Sequence, residues 1–95
     1  MIRVLIERHI AESLELAYEE RSRQVLQRAV SAPGFVAGDT LVDATDHNHR
    51  FPLANWRSAP DWLRWKRSEE RKALMAELIP MMDREEVITV LKHSN

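Results

Sequence analysis

The chain has 95 residues, with 14 Lys and Arg against 15 Asp and Glu, a formal charge of −1 with its four histidines neutral. That balance gives no overall attraction for nucleic acid or for an acidic membrane surface. Cysteine is absent, which excludes a disulfide framework and thiol catalysis. This length predicts one domain over residues 1–95, small enough that pairing of subunits is an economical route to stability. The opening apolar run is too short and too interrupted for a signal peptide, and no later stretch can span a bilayer, so a soluble cytoplasmic protein without a membrane partner is expected.

Ile2 to His9 alternates as a strand, with Ile2, Val4, Ile6 and Arg8 on one side and Leu5 opposite them among charges. From Glu12 to Val30 the period becomes helical: Leu14, Tyr18, Val25 and Ala29 form the stripe, with Leu26 and Val30 at its margin. Ala32-Pro33-Gly34 stops that helix, because proline cannot continue the turn and glycine tolerates a left-handed cap. Phe35 to Ala44 is the second strand, Asp46-His47-Asn48 the turn, and Arg50 to Trp56 the third strand. Pro52 falls inside that strand, where a missing amide implies either a start after Pro52 or a bulge.

All three tryptophans lie between Trp56 and Trp65, and the same stretch holds the clearest helix start. Ser58 and Asp61 have capping-box spacing and Pro60 sits in the first turn. Ser68 before Glu69-Glu70 marks a second start, so the helix carrying Leu74, Met75, Leu78 and Met82 is expected to break near Ser68. Pro80 lies close to its end, and Glu86 to Lys92 is the last strand. The order β-α-β-β-α-β predicts an α+β, ferredoxin-like fold: a four-stranded antiparallel sheet with both helices on one face. The other face would carry Leu5, Phe51, Leu53 and either Val87 and Leu91 or Ile88 and Val90, an apolar surface that a second subunit packing sheet against sheet would cover.

The strand ending in Trp56-Arg57-Ser58, then Trp65, then Ser68-x-x-Arg71, with Ala32-Pro33-Gly34-Phe35 before strand two, resembles the antibiotic biosynthesis monooxygenase (ABM) family of dimeric α/β barrels. The resemblance covers nearly the whole chain. It implies a homodimer and, by analogy with the quinone-forming branch, a cofactor-independent monooxygenase that uses molecular oxygen on a small phenolic, hydroquinone or enolisable compound. Two other features of family branches are not reproduced. The positions matching the haem-degrading enzymes' asparagine, tryptophan and iron-ligating histidine are Arg8, Trp56 and Met75, and a thioether replaces the imidazole. The asparagine and tyrosine of the aromatic-polyketide oxygenases fall at Pro52 and Trp62.

Such chemistry needs a dry cavity, donors that favour the substrate anion, and a proton acceptor. Arg8 and Trp56 are the candidate donors, the guanidinium for an enolate or phenolate and the indole N–H for a substrate or peroxide oxygen. His9, as an imidazole, is the candidate acceptor, although alternation places it on the face away from Arg8. Trp62, Trp65, Met75 and Tyr18 are the candidates for lining the substrate pocket. Each also has a structural reading. Trp56 could be a core anchor with a satisfied N–H, and Arg8 an ion-pair partner of Glu7 or of an acid on helix one. No metal is expected from His47-Asn48-His49, a turn pair for which the sequence places no third ligand. The basic run Arg64, Lys66, Arg67, Arg71, Lys72 is interrupted by Glu69 and Glu70 and reads as a solvated face. A non-catalytic dimeric module that binds small molecules, or a stress-associated one, is the alternative function.

Overall fold

Strand alternation at the N-terminus sets the architecture. In a computed structural model that describes residues 1–94, β1 (Ile2–His9) buries Val4, Ile6 and Arg8 while the intervening residues are half-buried. The chain continues through α1 (Glu15–Ala29), β2 (Phe35–Asp43), β3 (Asp46–Trp56), α2 (Ala59–Lys66), α3 (Glu69–Leu78), a 3₁₀ turn (Ile79–Met81) and β4 (Val87–Lys92). The strands form one antiparallel sheet in the order β2-β3-β1-β4, the ferredoxin-like arrangement expected. Val4, Ile6 and Trp56 from the sheet meet Ala29 of α1 and Trp62 and Trp65 of α2 in one core cluster. Ile10, Tyr18, Met75 and Leu78 form a second cluster towards the far end of the helical layer. Among the described residues no helix is long and apolar enough to cross a membrane.

The break near Ser68 is real and gives the chain a third helix. Ser68 caps α3, its Oγ accepting from the Arg71 amide at 3.1 Å. Ser58 does the same for α2, accepting from the Asp61 amide at 3.3 Å and donating to the Asp61 carboxylate at 2.9 Å. Asp61 thus completes the cap through the Ser58 hydroxyl. Gly34 adopts a left-handed φ of 88°, but beyond the end of α1 at Ala29. A side chain there would collide with Asp61, and the Gly34 carbonyl accepts from the Arg57 amide at 2.7 Å. The glycine therefore lets the α1–β2 turn lie against the start of α2.

Two expectations about the hairpin are corrected. Asp46-His47-Asn48 belongs to β3, not to the turn. Asp43 Oδ1 accepts from the Thr45 amide at 2.9 Å and its hydroxyl at 3.0 Å, which closes the chain reversal two residues earlier. The surplus is absorbed where pairing jumps from Val42↔Arg50 to Asp43↔Asp46. Pro52 neither starts the strand nor sits in a bulge. It pairs with Thr40, and β1–β3 pairing keeps one register from Leu5↔Leu53 to Arg8↔Arg50, lapsing only opposite Phe51 and Pro52. The remaining irregularity lies at Phe35–Ala37, next to Trp56.

Candidate functional site

Arg8 stands at the buried end of the β1 stripe, 2% exposed, held by side chains from α1, α3 and the residue before β4. Its Nε donates to Glu86 Oε2 at 2.8 Å, Nη1 to the Tyr18 hydroxyl at 3.2 Å, and Nη2 to Met75 Sδ at 3.6 Å. Arg71 of α3, 7% exposed, donates from Nη2 to the other Glu86 oxygen at 3.3 Å and lies 5.6 Å from the Trp62 ring centre. Two guanidiniums thus share one carboxylate, leaving the trio with one net positive charge. Burial works against the charge on Arg8, but the Tyr18 oxygen and the Glu86 carboxylate outweigh it and shift the group upward. Burial dominates at Arg71 and lowers it. Burial would raise the Glu86 carboxyl, yet Arg8 and Arg71 together hold it below its usual range.

Beside this trio, Trp56 is 1% exposed, and its indole nitrogen is buried with no hydrogen-bond partner among the described residues. Its ring is fixed by an edge-on contact with Phe35 (5.4 Å, 90°) and a tilted one with Trp62 (5.9 Å, 57°). A buried donor left unpaired costs about 1–3 kcal/mol, so a rigidly held indole without a partner marks a place where a ligand oxygen would be stabilised. The cavity that Trp56 lines, with Arg8, Arg71, Trp62, Trp65 and Ser22, has a volume of about 60 Å³. A cavity of roughly 150 Å³ accommodates benzene, so this one takes an oxygen-bearing end and not a whole ring. It shares Ser22, Leu26, Thr40 and Pro52 with an outer cleft of about 370 Å³ between α1 and the β2–β3 hairpin, where a ring could lie.

The cavity therefore brings together Arg8, Trp56, Trp62 and Trp65. Tyr18 and Met75 do not line it. They sit behind Arg8 and hold its guanidinium, and Tyr18 also reaches the outer cleft. His9 is on the opposite face of the sheet, because it follows Arg8 by one residue on a regular strand, and it does not line the cavity. The partner of Arg8 is Glu86, not Glu7 or an acid of α1, and Arg71 is buried, not part of a solvated basic face. Three cavity or cluster residues escaped sequence reasoning. Ser22 has a signal, a small polar residue one turn after Tyr18 on the apolar stripe of α1. Arg71 has only the motif spacing from Ser68. Glu86, separated from Arg8 by 78 positions, has none.

A family model described as "Antibiotic biosynthesis monooxygenase" matches residues 1–77, and the chain belongs to that family. Among solved structures it is similar to a protein described as an antibiotic biosynthesis monooxygenase, at a TM-score of 0.91 and 15% identity with all of both chains covered. It is also similar to a putative antibiotic biosynthesis monooxygenase from Nitrosomonas europaea, at 0.89 and 14%, covering 98% of each. A third is SnoaB, a cofactor-independent oxygenase from Streptomyces nogalater, at 0.86 and 13%, with 99% of this chain and 94% of that one covered. No curated protein matches the sequence. At these identities the likenesses establish the fold.

Proposed function

We propose that the protein is a cofactor-independent monooxygenase of small phenolic, hydroquinone or enolisable compounds, whose oxyanion enters the cavity between Arg8 and Trp56. The observation that carries this reading is the orphaned Trp56 indole N–H beside a buried excess of positive charge. Family membership and the fold shared with the oxygenase SnoaB support it. In such a reaction the substrate gives up a proton, its carbanion-like carbon transfers electrons to dioxygen, and a C–O bond forms. Cleavage of the O–O bond then leaves a carbonyl and one water, R₂CH₂ + O₂ giving R₂C=O + H₂O. Arg8 and Arg71 favour the anion electrostatically, and Trp56 donates to the substrate or peroxide oxygen.

Glu86 is committed to two guanidiniums, which makes it a poor base. The substrates favoured are thus acidic ones that ionise in water before or on entry. The same observation is what the non-catalytic reading has in its favour, and the two separate on one measurement. Oxygen uptake by the purified protein with a hydroquinone and anthrone-type panel is expected, and its loss in Trp56→Phe. Saturable binding of those compounds with uptake at background establishes the binding module instead.

We also propose that the functional unit is a homodimer. Leu41 and Leu91 are 47% and 43% exposed on the face away from the helices, with Leu5, Phe51 and Leu53 between them, and a second copy would cover that face. Sedimentation at micromolar concentration tests it, a monomer being the contrary result.

A further inference from the structure

On the helix-free side, the end of β1 carries a cluster that the oxygenation chemistry does not use. Glu7 and His9 are two apart on β1 and so share a face, and His9 is the direct cross-strand partner of His49 on β3. The two imidazoles stack at 4.3 Å and 16°. Glu7 Oε2 lies 2.5 Å from His49 Nε2 and 3.9 Å from His9 Nε2, and the three ligand atoms all fall within 4.8 Å of one another. Four-coordinate zinc, with bonds of about 2.0–2.2 Å, needs donor separations of about 3.3–3.6 Å, and the two measured ones bracket that range. The other ring nitrogen, His49 Nδ1, is 3.1 Å from Asp43 Oδ2.

That last contact separates this cluster from a chance gathering of polar groups. A carboxylate on the far nitrogen of an imidazole fixes the ring's orientation and presents the near nitrogen to a metal, the arrangement found behind histidine ligands. We infer that Glu7, His9 and His49 form a site for one divalent cation of the zinc class, with Asp43 orienting His49 and a fourth position open. The ion replaces the proton shared between His49 and Glu7. The histidine pair suggested by the turn, His47 with His49, is not the site: His47 faces Arg50, at 3.2 Å from its Nη2. The inference does not rest on the oxygenase reading, and the cluster lies on the face that the proposed dimer would cover.

Untagged, chelator-treated full-length protein titrated with Co²⁺, and then with Zn²⁺ in competition, provides the test. One ion per chain is expected, with a cobalt absorption band that Zn²⁺ abolishes. His9→Ala and His49→Ala should lose binding. Asp43→Asn, which removes no ligand, should weaken it by about 10- to 100-fold, and His47→Ala should leave it unchanged. Circular dichroism confirms that each variant is folded. Absence of binding at millimolar Co²⁺, or binding that His9→Ala and His49→Ala leave intact, overturns the site. So does equal loss in His47→Ala.

Discussion

Residues 7, 8 and 9 are consecutive on one strand, yet Arg8 and its neighbours live under different physics. Arg8 faces the helices, where buried Arg71 and partly buried Glu86 join it. Glu7 and His9 face the other way, where His49 and Asp43 complete a half-exposed quartet. Both clusters mix acids with bases at hydrogen-bond distance. The buried one must keep its count of charges or lose much of its stability, because removing one member leaves buried charge uncompensated. The outer one is half-exposed in the single chain, so a lost partner costs less there and its charges are free to serve a ligand.

The largest expected effect tests the buried side. Glu86→Gln leaves two guanidiniums facing each other and should cost about 3–5 kcal/mol, out of the roughly 5–14 kcal/mol that a domain of this size has available. Chemical denaturation measures it. A cost below about 1 kcal/mol would mean that the trio behaves as a surface pair and that the two faces do not differ. Next, Trp56→Phe should reduce oxygen uptake by about 10²–10³-fold, as loss of one oxyanion donor does, with the fold retained by circular dichroism. Unchanged turnover would leave the indole a packing group.

A smaller effect follows from pH. Because Arg8 and Arg71 hold the Glu86 carboxyl below its usual 4.5, its contribution is present above that value and is lost as pH falls through the folded-state pKa. Wild-type stability should thus decline on acidification below about pH 4.5 more steeply than that of Glu86→Gln. Parallel curves would show that the carboxyl is not held down. The smallest effect belongs to the outer side. Asp43→Asn, whose amide oxygen can still accept from Thr45, should lower the metal-free melting temperature only slightly, and a drop as large as that from Glu86→Gln would erase the distinction.

Period carried most of the fold. The β1 stripe, the helical spacing of α1 and the caps at Ser58 and Ser68 are local signals, and each appears where the residues place it. The hairpin was misplaced because a side-chain turn at Asp43 competes with the turn-forming residues that follow it. Within the site, Trp56 and Arg8 were legible as a strand end and a charge on an apolar face. Glu86 was not, since a partner brought in by β4 across the sheet leaves no mark near Arg8 in sequence. The same holds for the meeting of His9 with His49, which depends on the β1–β3 register.

Pro52 gives the cavity wall a slack seam. Val4, Ile6 and Arg8 line the cavity from β1, and the ladder to β3 lapses opposite Phe51 and Pro52, between two well-paired stretches. A central strand is ordinarily the slowest part of a domain to trade its amide hydrogens with solvent. Here deuterium should enter mid-strand at Ile6 or Glu7 ahead of Val4, so that the cavity wall breathes at its middle and not at its ends.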